Sequence, residues 1–328
     1  MRLVAVELRR VVARRLITFV TIGGLLAVGL VLVAAWQSAR PLTDAQIAEA
    51  ERQYAWALED WEENGEQMVA DCLDAQAGES ELAGEPLDFG CAEMEPQREW
   101  YVPPSSELST ALGPLLSSTA TLLVFLVFVV GVTATAAEMT TGSMSTWLTF
   151  VPQRLRVLFS KVAASGVVGV PITAVLAAVL VGGAYGVHAA QGALGTMTGA
   201  VWADVGWTGL RVVVLGGVAA AVGSALGVLL KNTGVALGLV IGYLLVVEAI
   251  LGNLVQPIQP FLLQTNLRAW VEGGTTYWVS ECTVTDQGTQ CTGTEVALGL
   301  AQGAAYLGVG AVLVLGLTAL VFRRRDLA

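Results

Sequence analysis

Six long apolar runs, separated by polar breaks of very different lengths, organise this chain from residue 17 to residue 322. They cover about 17–36, 112–137, 162–187, 208–230, 235–252 and 296–322. Each is near the ~20 residues that carry an α-helix across a bilayer. Ahead of the first run, Val4, Ala5, Leu8, Val11, Val12 and Leu16 fall on one side of a helix over residues 1–16, with Arg2, Arg9, Arg10, Arg14 and Arg15 around them. That pattern predicts an amphipathic helix lying in the headgroup layer. No small-residue cleavage site follows the first apolar run, which argues against a signal peptide.

The breaks carry their own patterns. Residues 37–108 open with Pro41, Thr43 and Gln46, a capping box that starts a helix. Ile47, Tyr54, Trp61 and Met68 then recur every seven residues with Leu58 beside them, predicting a striped helix from Thr43 to about Cys72, weakened by Gly65. Pro103, Pro104 and a Ser106 cap introduce the second run, and Pro171 is where the third is expected to bend. Residues 188–207 read as a glycine-rich linker, whereas Lys231-Asn232-Thr233-Gly234 is so short that the fourth and fifth runs must lie antiparallel. The apolar stretch 253–270 is interrupted by Pro257 and Pro260 and is too short to cross. It predicts a re-entrant or interfacial segment within the loop 253–295.

The break at 138–161 differs in kind. Gly142 can stop a helix and Ser143 can cap a new one. Met144, Trp147, Leu148 and Val151 follow at i, i+3, i+4, i+7 and so share one helical face. Pro152 ends that short helix, and Arg154, Arg156 and Lys161 come next. A short amphipathic helix pinned between two spans is a docking element.

Composition fixes the class. Of 328 residues 55% are hydrophobic and only 13% charged, about half the charge of a soluble domain. The net charge of −10 speaks against a nucleic-acid partner, but its distribution says more. Residues 37–108 hold eighteen Asp and Glu against three Arg. If alternate breaks share a side, one side collects twelve Lys and Arg with only Glu7, Glu138 and Asp326. The positive-inside rule then puts both termini and 138–161 in the cytoplasm, with 37–108 and 253–295 outside. This predicts an all-α polytopic membrane protein: six transmembrane helices, an N-terminal interfacial helix, a cytoplasmic coupling helix, a helical extracellular loop domain and a short tail at 323–328.

Four cysteines fall on the external side by this assignment, so disulfides are expected. The local pairs Cys72–Cys91 and Cys282–Cys291 close the shortest loops. A cross-pairing between the two loops is the alternative, and a metal site is a weaker one because His188 is the sole histidine. Within the spans, Arg211 and Glu248 fall at similar depth on adjacent helices and suggest an intramembrane ion pair; two side chains reaching separately to the headgroups is the other reading. The chain carries no Gly-x-x-x-x-Gly-Lys-Ser/Thr phosphate loop, no dinucleotide fingerprint, no nucleophile elbow and no His-Glu-x-x-His. Neither an enzyme nor a proton-coupled carrier fits, since no ladder of intramembrane acids is present.

The spacing Glu138, Gly142, Ser143, Leu148, Pro152, Arg154, Lys161 resembles the loop between the second and third spans of ABC transporter permeases of the type-2 export family. Ser143 stands where that family more often has threonine. The resemblance implies that the loop is a coupling helix seated on an ATPase subunit, with Glu138, Gly142, Met144, Trp147, Leu148, Val151, Pro152, Arg154 and Arg156 as the docking residues. It also implies a bacterial plasma-membrane exporter that pairs with a second permease copy or a paralogue. ATP and magnesium would be held by the partner, with no cofactor in this chain, and the substrate would be hydrophobic or amphipathic. The competing reading is a membrane sensor or scaffold that uses the acidic external loop to bind a ligand or protein.

Overall fold

The structure, a computed structural model, describes residues 2–84, 87–102, 106–141, 153–285 and 288–324. It is 84% helical. Six helices are long and apolar enough to cross a membrane: α2 (Arg15–Ala39), α5 (Leu108–Thr140), α6 (Arg154–Gln191), α7 (Gly199–Leu230), α8 (Thr233–Leu254) and α10 (Leu300–Arg324). Between them lie α1 (Arg2–Val12), α3 (Asp44–Ala83), α4 (Arg98–Tyr101), α9 (Leu263–Glu272) and an antiparallel hairpin of β1 (Gly274–Thr285) and β2 (Gly288–Gly299). The spans alternate in direction, so the bundle has a basic end and an acidic end. The basic end holds α1, Lys161, Lys231 and Arg323; the acidic end holds α3, α9 and the hairpin.

The observed spans outrun the apolar runs that predict them. At about 1.5 Å per residue, the 38 residues of α6 reach about 57 Å, far more than the ~30 Å of hydrocarbon. The linker expected at 188–207 therefore shrinks to residues 192–198, since α6 ends at Gln191 and α7 starts at Gly199. Thr198 caps α7 by accepting the Val201 N–H. The second span starts without the expected Ser106 cap. Its N-cap residue is Glu107, whose side chain makes no cap hydrogen bond, and the Leu108 and Ser109 N–H groups donate instead to the carbonyls of Ala193 and Leu194. Free helix donors need some acceptor, and here a neighbouring loop supplies it. α6 continues through Pro171 without interruption.

The Lys231 turn is as tight as its sequence implies. Lys231 closes α7 in the left-handed conformation, and Asn232 Oδ1 accepts the Gly234 and Val235 N–H groups to start α8. α8 changes to π-helix over Leu244–Leu251 before ending at Leu254.

Small residues set the centre of the bundle. α5, α6 and α7 form its inner layer, with α2, α8 and α10 outside. Gly131 of α5 lies against the Ala220 backbone of α7, while Gly223 and Gly227 of α7 face the backbone of Phe128 and Val132. Gly169 of α6 meets Gly216 and Ala220 of α7. Close approach of this kind is how helices gain dispersion energy in lipid, where no hydrophobic effect drives them together. The outer helices expose Phe19, Leu26 and Leu30 on α2, Leu239, Leu245 and Ile250 on α8, and Val309, Val312 and Leu313 on α10.

The acidic segment follows its pattern and extends it. Thr43 and Gln46 form both halves of the capping box. The helix passes Gly65 and runs to Ala83, beyond the expected stop at Cys72. A return segment folds back along it, held by the Cys72–Cys91 disulfide, by the Phe89 N–H on Gln76 at 2.9 Å and by the Arg98–Glu51 ion pair. Tyr54 of the stripe packs on Tyr101 with ring centroids 5.8 Å apart.

The hairpin is an element that the helical reading omits. Residues 274–299 are rich in Thr and Val with Tyr277 and Trp278, residue types that suit a pleated surface. The last span therefore begins at Leu300, because Val296 lies in β2 opposite Tyr277. The register also sets Cys282 opposite Cys291.

A Gly223→Val change should force α5 and α7 apart, because its Cβ would fall inside the Phe128 carbonyl. We expect a loss on the order of 1–3 kcal/mol or more, read as a lowered thermal midpoint in detergent. Gly238→Ala, which meets nothing within 4 Å, should leave the midpoint unchanged.

Candidate functional site

The basic end buries charges where an apolar protein can least afford them. Lys161, near the start of α6, is 2% exposed. Its ammonium donates to Glu7 Oε2 of α1 at 2.9 Å and to Glu138 Oε2 of α5. Glu138 also pairs through Oε1 with Arg14, which joins α1 to α2, and Arg10 sits at the rim 3.9 Å from Glu7. Glu7 is 2% and Glu138 9% exposed. Glu7 and Glu138 are balanced by Lys161 and Arg14, with Arg10 adding a positive charge at the exposed rim, and that balance makes burial tolerable.

Each side chain arrives for a local reason. Val11 of α1 packs with Ala134 of α5 and Val168 of α6, with Leu8 and Ile17 alongside. Docking that face carries Glu7, one turn before Val11, into the interior. α1 is thus held by protein on that side, more than a purely lipid-facing amphipathic helix would be. Glu138 and Lys161 come from the helix ends on either side of residues 142–152. The cluster joins both roots of that loop to α1. A cleft of about 400 Å³ opens beside it, lined by Arg10, Arg14, Ala137, Glu138 and Thr141.

The docking residues Gly142, Met144, Trp147, Leu148, Val151 and Pro152 lie outside the described residues. Of the rest, Arg154 is half-buried and Arg156 exposed in the first turn of α6, next to exposed Leu155 and Phe159. Glu7, Arg14 and Lys161 are site residues that the expected docking set leaves out. Their signal was present: Glu7 is the only acid among five arginines, and Lys161 is one of two lysines in the chain.

At the acidic end, Arg211 and Glu248 do not meet as a pair; each holds a different end of α9. Glu248 Oε1 accepts the Leu263 N–H at 2.6 Å and Oε2 the Gln264 N–H at 3.2 Å. Arg211 donates to the Val271 carbonyl at 3.4 Å. A carboxylate at a helix N-terminus and a guanidinium at its C-terminus both complement the helix dipole. No ion pair joins the two side chains among the described residues. Further anchors come from Trp270 Nε1 on the Arg211 carbonyl, Gln264 Nε2 on Thr121 Oγ1 and the Tyr306 hydroxyl on the Phe261 carbonyl. α9 and the turn before it are thus pinned by α5, α7, α8 and α10. The stretch 253–270, expected as a re-entrant or interfacial segment, holds the end of α8, a turn and most of α9.

Six apolar helices and a clustered charge centre beside the loop invite comparison with transport proteins. A family model described as ABC-2 family transporter protein matches residues 1–327. The chain belongs to the ABC-2 transporter family. It is a multi-pass membrane protein and a membrane transport component, of a family that normally works with an ABC ATPase subunit. No curated protein matches the chain.

Two measurements probe these contacts in the permease. Lys161→Met leaves Glu7 and Glu138 buried without their shared cation, so a loss of about 3–5 kcal/mol is expected, with α1 becoming open to protease. Glu138→Gln, which keeps the shape, should cost less. For the α9 anchors, a double-mutant cycle with Arg211→Met and Glu248→Gln should be additive within about 0.5 kcal/mol, because the two act about 12 Å apart on opposite ends of a ten-residue helix. A coupling larger than 1 kcal/mol would reinstate the direct pair.

Proposed function

We propose that this chain is the membrane-spanning permease subunit of an ABC exporter. It moves a hydrophobic or amphipathic substrate outward, driven by ATP hydrolysis on a separate subunit that docks at residues 142–152 on the cytoplasmic face. The observation that carries the reading is the buried charge cluster at the two roots of that loop. A push delivered to a loop does work only if the helices flanking it move together. Glu7, Glu138, Lys161 and Arg14 tie α1, α2, α5 and α6 into one body, so displacement of the loop would tilt that body as a unit. Met144, Trp147, Leu148 and Val151 would fill an apolar groove on the ATPase, with Arg154 and Arg156 at the rim.

Such a half-transporter encloses no pathway alone. A second copy or a paralogue would cover part of the apolar outer layer of α2, α8 and α10, with lipid covering the rest. The positive-inside rule supports cytoplasmic termini and an external acidic segment in a bacterial plasma membrane. An oxidising exterior suits the Cys72–Cys91 disulfide and the proposed second bridge between Cys282 and Cys291.

Trp147→Asp or Leu148→Asp should abolish co-purification of the ATPase and the ATP hydrolysis that the permease stimulates, while insertion and the thermal midpoint stay near wild type. An ATPase that still binds both variants would move the docking surface elsewhere. A purified native protein without any ATPase would favour the sensor or scaffold built on α3.

A further inference from the structure

We infer that the cavity at the acidic end binds the ammonium head group of an amphipathic small molecule, an assignment that rests on the permease reading and gives its substrate a chemistry. The cavity holds about 710 Å³, within the range of small-molecule sites. Three helices build it, each presenting positions four residues apart and so on one face. α5 offers Gly113 and Ser117, α7 offers Asp204 and Thr208, and α9 offers Gln264, Arg268 and Glu272. The adjoining face of α9, with Leu267 and Val271, packs into the core, so the pinning of α9 leaves its polar face at the cavity. Gly113 and Pro114 of α5 give one wall of the cavity an apolar character.

Charge selects the ligand class. Arg268 is committed to Glu272 at 3.3 Å. Asp204 is exposed on the first turns of α7, ahead of the apolar run that starts near residue 208, and makes no ion pair among the described residues. The lining therefore sums to −1, from Asp204 and Glu272 against Arg268. Eighteen further carboxylates in residues 37–108 add a negative field at this end of the bundle. A donor-rich cation with an apolar body matches the hydroxyls, the carboxylates and the Gly113–Pro114 wall together. A bare metal ion would leave most of the volume unused.

The test uses the full chain in lipid nanodiscs and two fluorescent amphipaths of opposite charge, dansylcadaverine and the dansyl derivative of 6-aminohexanoic acid. Energy transfer from tryptophan to dansyl reports binding, with Trp270 on α9 and Trp207 beside Thr208 as nearby donors. Wild type should bind the amine and discriminate against the acid by about tenfold or more, the scale of one charge-assisted contact. Asp204→Asn should remove that preference and Asp204→Glu should keep it. Equal binding of the two probes, no binding of the amine, or an Asp204→Asn variant with unchanged preference would overturn the assignment. ATPase co-purification, measured on the same preparations, reports separately on the permease reading, since Asp204 lies at the opposite end of the bundle from the loop.

Discussion

A buried ammonium between two carboxylates governs the basic end of this permease. Lys161 cannot lose either Glu7 or Glu138 without stranding charge in a setting where water is scarce, and neither acid can lose Lys161. The interaction is therefore a constraint on geometry more than a source of net stability. Wherever α6 goes, α1 and α5 must go with it. Arg14 extends the same demand to the start of α2. For a protein in which motor and pathway would sit on different chains, a stiff joint at the root of the loop is a mechanical requirement.

The rest of the bundle answers a different physics. Away from the Lys161–Glu138 pair, the described contacts along the middle of α5, α6 and α7 come from glycine and alanine letting backbones approach. Thr135 adds one bond across the seam, donating to the Ser224 carbonyl at 2.7 Å. Such seams are made of many weak contacts and resist deformation, because a packed interior has few alternative arrangements. At the acidic end the restraint is again electrostatic, with Glu248 and Arg211 gripping the two ends of α9. Charge thus fixes both ends while close packing fixes the middle. A tilt imposed at one end can then reach the other without being absorbed between them.

How much of this was legible depended on whether a feature is local. Span count and the Lys231 turn follow from run length and a loop too short for any other path. The Thr43–Gln46 cap and the Cys72–Cys91 bridge are equally local, each closing over a short stretch of chain. The β-hairpin was the local miss. Its alternation of Thr, Val and aromatic residues was readable, but two cysteines and a run of glycines drew the segment toward a loop. The start of the last span slipped with it, because Val296 is as apolar in a strand as in a helix.

Partnership between distant residues was another matter. Arg211 and Glu248 are at matching depth on adjacent helices, so sequence logic pairs them; only the fold brings α9 between them and offers each a helix end instead. Glu7, Glu138 and Lys161 are separated by 131 and 23 positions, and nothing in their spacing says that they meet. By itself the sequence determined a six-span membrane chain with basic and acidic breaks on alternate sides, since hydrophobic length and charge sign are summed along the chain. Tertiary structure alone decided which buried charge satisfies which, because that depends on helix faces whose mutual rotation no one-dimensional pattern contains.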